Sequence, residues 1–281
     1  MKKIGFVDFY ISEWHANNYP AWINGVCEEQ GLDYSLAYVW AEQDVSPVDG
    51  RSTAEWCKAF GAEECATVQE LCERSDVIFI LAPTNPEKHL PYAKAVLPYR
   101  KPTYIDKTFA QNLKEAEEIF GLAEKYGTPF FSSSALRYEE SLNDVEDCRN
   151  ITVFISGSSV GEYIIHDIEM VAKKLGIGAN RVMCIKNGGQ MFFHLGYEDD
   201  RSACLVYANF GLPGASIMQS ADGKGKTANS RSDIFKLLIK DILRFFGDGK
   251  VSFDTAQTLE AIKIRDAVLA SEKKCGEWIN F

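Results

Sequence analysis

"DVIFILAPTNPEKH", residues 76–89, is the stretch on which the reading of this chain turns. An apolar, partly β-branched run from Val77 to Ala82 stops at Pro83, and Asn85-Pro86 then opens a helix with proline in its first turn. A short buried strand running into a helix start is half of a parallel βαβ unit. The same grammar holds on both sides, with strands expected over Lys3 to Asp8, Tyr34 to Trp40, Asp76 to Ala82, Thr103 to Asp106 and Pro129 to Ser133. Ser52-Thr-Ala-Glu55 and Thr67-Val-Gln-Glu70 read as capping boxes, so a helix starts at each. Leu113, Ala116, Phe120 and Ala123 form an apolar helical stripe closed by Gly127. Five strands with helices between them predict an α/β doubly wound parallel sheet over residues 1–133.

From about Ser134 the pattern changes. Ile151 to Ser156, Arg181 to Lys186, Gln190 to Tyr197, Ser202 to Asn209 and Ala215 to Ser220 read as successive strands, with Asn187-Gly-Gly189 and Glu198-Asp-Asp200 as turns. The helix Gly161 to Leu175 interrupts them, with Ile164, Ile168, Val171 and Leu175 on one face, and further helices are expected over Asp233 to Phe246 and Thr255 to Cys275. Residues 134–281 are thus expected to form an α+β domain with a mostly antiparallel open sheet, and Ala221 to Ser230, polar and glycine-bearing, a mobile loop.

Composition narrows the function. A chain of 281 residues, 46% hydrophobic and 25% charged, is long enough for a well-buried core. Its net charge of -10 offers no broad cationic surface, which argues against a nucleic-acid or membrane partner. The opening MKKIGFVDFY is too short in its apolar run for a secretory signal, and a cytoplasmic protein is expected. Eight cysteines lie scattered without metal-ligand spacing, so reduced thiols and no metal site are expected.

In an open α/β sheet, ligands bind at the carboxyl ends of the strands. The residues that follow those ends are Asp8, Phe9 and Tyr10 after the first strand, Glu42 after the second, Ala82, Pro83, Thr84, Asn85 and His89 after the run at 77–82, and Asp106 with Lys107 after the next. A cofactor-binding role is expected for all but Lys107. Glu42 reads either as a ribose-binding carboxylate or as one solvated acid among many.

Together, "DVIFILAPTNPEKH" and "KPTYIDKTFAQNLKEAEEIFGLAEKYGTPFF" (101–131) resemble the central part of the Gfo/Idh/MocA oxidoreductases, where P-N and a nearby His precede an acid followed by Lys-Pro. "GEYIIHDIEMVAKKLG" (161–176) is similar to the family's helix D-x-x-x-H-x-x-D ending at Leu-Gly, with Glu162, His166 and Glu169 at the three positions. The close, "FFGDGKVSFDTAQTLEAIKIRDAVLASEKKCGEWI" (245–279), is similar to its last helix and strand. The resemblance implies a Rossmann-like first domain binding NAD or NADP, and an oxidoreductase acting on a sugar, polyol or related carbinol. It also implies a homodimer or higher homo-oligomer. Lys107 and His166 would transfer protons at a shared cleft, with Glu162 orienting the imidazole. On spacing alone, Lys107 reads equally as a surface lysine, and the 162, 166, 169, 173 face as an ordinary polar one.

The departure lies at "GFVDFYISEWHANNYP", residues 5–20, which has no glycine after Gly5. A dinucleotide fold uses glycines there so that backbone amides can approach the pyrophosphate. Either Ser12 caps a helix that must then contain Pro20, or Asn18 caps and Pro20 takes the first turn. A cofactor-free ligand-binding or partner protein, or a lyase or isomerase using the same lysine and histidine, is the alternative reading.

Overall fold

The computed structural model describes residues 1–209, 211–212, 214–229 and 233–281, and the chain divides into two compact units. The first comprises Met1–Ser133 with Phe235–Phe253. Its elements are β1 (Lys2–Asp8), α1 (Trp14–Gln30), β2 (Tyr34–Ala41), α2 (Thr53–Phe60), β3 (Glu63–Glu64), α3 (Val68–Arg74), β4 (Val77–Ile80), α4 (His89–Val96), β5 (Thr103–Ile105), α5 (Leu113–Tyr126) and β6 (Phe130–Phe131). All strand pairs are parallel, in the order β3-β2-β1-β4-β5-β6.

The expected Rossmann-like sheet is therefore present, with one strand more than the sequence suggested. β3 escaped notice because it is two exposed glutamates on the sheet edge, joined to β2 by backbone pairing alone. The predicted caps fall into place. Ser52 and Glu55 form a reciprocal capping box, while Thr67 accepts from Glu70 N and the Glu70 carboxylate reaches one residue further back, to Ala66 N. Asn112 caps α5, and Gly127, in the left-handed region, closes it.

Aromatic packing holds this unit. Phe79 on β4 meets Phe6 at 5.2 Å, Tyr104 at 5.6 Å and Phe246 at 5.2 Å, each edge to face, and Phe131 meets Phe245 at 5.0 Å. Phe245 and Phe246 come from α7 (Ile234–Asp248), so this helix packs with the first unit although the sequence reading counted it with the second half. Its apolar face supplies rings that the parallel sheet needs to cover one side.

The second unit is Ser134–Ile234 with Asp254–Phe281. It contains β7 (Cys148–Ser156), α6 (Val160–Leu175), β8 (Ala179–Asn187), β9 (Gln190–Tyr197), β10 (Ser202–Ala208), β11 (Ala215–Ser220), β12 (Gly225–Asn229), α8 (Ala256–Glu272) and β13 (Trp278–Asn280). Its sheet runs β12-β11-β7-β10-β9-β8-β13 and is antiparallel except for the parallel pair β7 and β10. Ile164, Ile168, Val171 and Leu175 are buried, as their spacing predicts.

One expectation is corrected here. The segment at 221–230 is not simply a mobile loop, because Gly225–Asn229 pairs antiparallel with Ala215–Gln219 as a hairpin. Its exposed residues give no period-two signal, and backbone hydrogen bonds to β11 supply the order. Ser230 lies outside the described residues.

Gly5 shows how closely the first sheet is packed. A Cβ there would fall within contact distance of Ser75 Oγ and 2.7 Å from Leu71 Cδ2, both beneath β1. Gly5→Ala is expected to destabilise the chain by about 1–3 kcal/mol through overpacking. A shifted denaturation midpoint with unchanged slope checks this, and an unchanged midpoint would show that α3 yields freely.

Candidate functional site

At the carboxyl edge of the first sheet, β1, β4 and β5 end side by side. Asp8 closes β1 fully buried, and its Oδ1 accepts from Phe9 N at 2.7 Å and from Ala82 N at 3.0 Å, which ties the β1 end to the β4 end. Its Oδ2 is buried without a hydrogen-bond partner. Burial, and then the nearby Glu13, push the Asp8 carboxyl well above the usual range. Ala82 adopts φ 56°, an uncommon left-handed conformation for alanine, and turns the chain into Pro83.

The stretch without glycines resolves differently from both caps considered in the sequence. α1 begins at Trp14, and Pro20 lies inside it. Neither Ser12 nor Asn18 caps it; Ser12 Oγ donates to Asp49 and Asn18 Nδ2 to Trp14 O. The cap is Glu13, whose carboxylate accepts from His15 N at 2.7 Å and from Ala16 N. Glu13 is 6% exposed, and burial raises its pKa to about 7 against the pull of His15. Its signal in the sequence lay in position rather than residue type: glutamate is not among the preferred N-cap residues.

Asp106 follows β5, buried beside these groups. Its Oδ2 is hydrogen-bonded to His15 Nδ1, its Oδ1 accepts from Lys107 N at 2.7 Å, and Tyr104 Oη donates to Oδ1 at 3.4 Å. Burial alone would push this carboxyl up, but His15 first and then Lys107 outweigh it and hold Asp106 below the ordinary carboxylate range. Lys107 is 9% exposed, and its Nζ donates to Pro83 O at 3.1 Å. An ammonium so enclosed, with one carbonyl as its described hydrogen-bond partner, keeps N–H groups in reserve for a ligand oxygen.

Other expected contacts are already engaged. The Glu42 carboxylate accepts from Lys88 Nζ at 2.5 Å and Tyr92 Oη at 2.8 Å, and the Lys88 bond foremost holds its pKa down. Lys88 Nζ also sits 4.4 Å above the Phe9 ring, and Tyr10 Oη lies 3.5 Å from Thr84 Oγ1. Asn85 Nδ2 donates to Glu87 Oε1. His89 is fully buried with its ring nitrogens 2.5 Å from Leu81 O and 3.1 Å from Phe109 O, so it fastens the β4 end to the segment after β5. Burial pulls its pKa down. Asp8, Phe9, Tyr10, Ala82, Pro83, Thr84, Asp106 and Lys107 are thus brought to one edge, whereas His89 is spent on structure.

In the second unit, Ser159 caps α6 by accepting from Glu162 N, and the Glu162 carboxylate accepts from Ser158 Oγ at 3.0 Å. His166, four residues on, is half-buried with Nδ1 2.5 Å from Ser134 Oγ. The partner seen at this imidazole nitrogen is therefore Ser134, a hydroxyl the sequence gave no reason to single out. Glu169 is buried and salt-bridged to Arg137 at 3.0 Å, and Lys173 Nζ donates to Arg137 O at 2.9 Å. Burial lowers Lys173 to about 8. The 162, 166, 169, 173 face is thus packed rather than merely solvated. Among the described residues, no group of His, Cys, Asp and Glu has the arrangement to hold a metal, and no helix is long and apolar enough to cross a membrane.

Residues 43–134 match the Gfo/Idh/MocA family, described as an oxidoreductase family with an NAD-binding Rossmann fold. Solved structures similar over the whole chain include a probable dehydrogenase from Thermotoga maritima, with TM-score 0.79 and 11% identity, covering 99% of this chain and 98% of that one. A UDP-N-acetylglucosamine 3-dehydrogenase from Acidithiobacillus ferrooxidans aligns with TM-score 0.77 at 12% identity over 96% and 97% of the two chains. A myo-inositol dehydrogenase from Corynebacterium glutamicum aligns with TM-score 0.77 at 13% identity over 100% and 98%. No curated protein matches the sequence. Residues 43–134 carry the pattern of that oxidoreductase family, and the likeness to the solved structures establishes the shared two-sheet fold.

The family implies a dinucleotide, and the first turn can be tested for it. A pyrophosphate is bound by the free amides and positive dipole end of the first helix. Here those amides are bonded to Glu13, and the orphaned Asp8 Oδ2 is buried nearby. A pyrophosphate here would displace the two buried hydrogen bonds those amides already make, each worth about 0.5–1.5 kcal/mol, and would bury an anion beside two acids that burial already pushes toward their neutral forms. The residues present do not fit a pyrophosphate at this turn.

Glu13 also sets a pH dependence. Its folded pKa of about 7 lies above the ordinary 4.5, so the folded state holds its proton more tightly, and stability contributed by that proton is lost as pH rises through this window. Asp8, His15 and Asp106 face it. Compared with Glu13→Gln, the native chain is expected to lose about 3 kcal/mol more stability between about pH 4.5 and about pH 7.5. Denaturant titrations of both proteins across that range check it, and parallel curves would mean that Glu13 is not held uncharged.

Proposed function

We propose that this chain transfers protons on a sugar, polyol or related carbinol, with Lys107 and His166 as the groups that move them. The carrying observation is Lys107: a buried ammonium at the carboxyl edge of a parallel sheet, inside the matched segment, anchored by Pro83 O and electrostatically paired with Asp106. The substrate class is supported by the similar folds named as an inositol and a nucleotide-sugar dehydrogenase. Each residue is put forward on its own unit's evidence.

The form put forward first is a lyase or isomerase step beside a carbonyl, because it asks for no dinucleotide at a turn whose amides are already taken by Glu13. For His166, with Nδ1 near Ser134, the proposed role is to take a proton from a carbon next to a carbonyl, and for Lys107 Nζ, argued separately, it is to donate a hydrogen bond to an oxygen that gains charge. Return of the proton to the same carbon inverts or restores that centre, and its delivery to the former carbonyl carbon, with the hydroxyl proton passing from one oxygen to the other, completes an isomerisation with no oxidant required. Glu162, at the start of α6 and bonded to Ser158, is proposed to tune the imidazole through the helix rather than by direct contact.

A second reading, an NAD(P)-dependent dehydrogenase using the same two groups, is favoured by the family match at 43–134. It needs a dinucleotide that the first turn does not admit in the usual manner. The proposal includes a cytoplasmic setting and a homodimer or larger homo-oligomer.

The test is solvent exchange. Neutral aldoses, ketoses and inososes are incubated with the protein in D2O, and loss of the C–H signal beside the carbonyl is followed by proton NMR. Exchange is expected with at least one compound, falling about 100-fold or more in Lys107→Ala and in His166→Ala. No exchange, or reduction of NAD or NADP coupled to carbinol oxidation, overturns the lyase or isomerase form, and the second outcome establishes the dehydrogenase.

A further inference from the structure

β1 ends at Asp8 and α1 is capped at Glu13. A dinucleotide turn places its three glycines at the first, third and sixth positions of this passage: one for the tight turn, one for close approach to the pyrophosphate, one for packing of helix on strand. Counted from the strand end, those positions are Asp8, Tyr10 and Glu13. Two of the three are acids and the other is a large ring, and the spacing between strand and helix is kept.

We infer that Asp8, Tyr10 and Glu13 form a built-in plug: the chain supplies its own carboxyl oxygens to the amides that open its first helix and thereby excludes the pyrophosphate of NAD and NADP. Three observations carry this independently of any pKa. The Glu13 carboxylate accepts from both His15 N and Ala16 N. Asp8 Oδ1 accepts from Phe9 N and Ala82 N, so a second set of amides facing the turn is also taken by an acid. The family match begins at residue 43, after β2, so the turn and its helix lie outside the segment that keeps the family's pattern.

The exclusion is local. Glu42, at the end of β2, is bonded to Lys88 at an exposed contact and to Tyr92 at a part-buried one, whereas the Glu13 contacts are buried. The plug therefore decides cofactor binding, and a ligand for the edge formed by Pro83, Asp106 and Lys107 is expected to be uncharged where it approaches α1. This deepens the lyase or isomerase form above, on which it rests for its sense but not for its test.

The experiment measures binding without turnover. NADH and NADPH are titrated by fluorescence and calorimetry into the native chain and into the triple variant Asp8→Gly, Tyr10→Gly, Glu13→Gly. No binding is expected for the native chain at millimolar nucleotide, and binding strengthened by about tenfold or more for the variant. If far-UV circular dichroism shows the triple variant unfolded, Glu13→Ala is titrated with inorganic pyrophosphate, and a gain of about tenfold over the native chain is expected. Native binding of either nucleotide, a folded triple variant that stays silent, or no gain in Glu13→Ala overturns the inference. Failure of proton exchange with these binding results intact would instead sink only the catalytic reading.

Discussion

The first unit depends on an acid side chain, Glu13, whose oxygens satisfy the amides that open α1. A helix leaves its first amides without partners and carries a partial positive charge there. In a buried turn this demand is met by a ligand or by the chain, and Glu13 meets it from within. The consequence runs outward through contacts. The cap fixes the first turn of α1, that turn carries His15, His15 is hydrogen-bonded to Asp106, and Asp106 accepts from the backbone of Lys107. The candidate proton-transfer lysine is thus positioned by a chain of interactions that begins at the plug.

The electrostatics of this cluster separate its acids. Asp8 and Glu13 are pushed toward their neutral forms by burial first, Asp8 further by Glu13 and Glu13 further by Asp106, whereas His15 and Lys107 keep Asp106 ionised. Carboxyls pushed in opposite directions within one pocket are a common mark of assigned chemical roles. Here they also solve a structural problem, since three buried anions beside one imidazole and one ammonium would be unaffordable if all were charged. The orphaned Asp8 Oδ2 marks where this solution is least complete.

Most of the fold was legible because local signals and tertiary packing agree. The Ser52 box, the apolar stripe and Gly127 end of α5 and the stripe on α6 were each readable because local pattern and the final packing agree. The misses share one cause: order that comes from backbone pairing or from a distant partner leaves no pattern in the strand itself. β3 is two glutamates, and β12 is polar throughout its described side chains. The edge that gathers Asp8, Tyr10, Thr84, Asp106 and Lys107 followed from the rule that ligands meet strand ends. Glu13 and His15 did not, because the rule that finds caps looks for short side chains, and a glutamate folding back on its own helix start breaks it. Ser134, the partner of His166, is one of three adjacent serines that nothing in the sequence distinguishes.

That the glycine turn can be lost without losing the architecture follows from where the stability resides. The rings of Phe6, Phe79, Tyr104 and Phe246 pack on one another against the strands and contribute whether or not a dinucleotide is present. In a chain that takes no dinucleotide, as inferred above, an acid that satisfies the first amides of α1 can occupy the turn. The same reasoning predicts the asymmetry of the family match, which holds through β4 and β5, where core and candidate lysine coincide, and is absent before residue 43, where only the cofactor would have imposed a sequence. Fold and chemistry are separable here because different residues carry them.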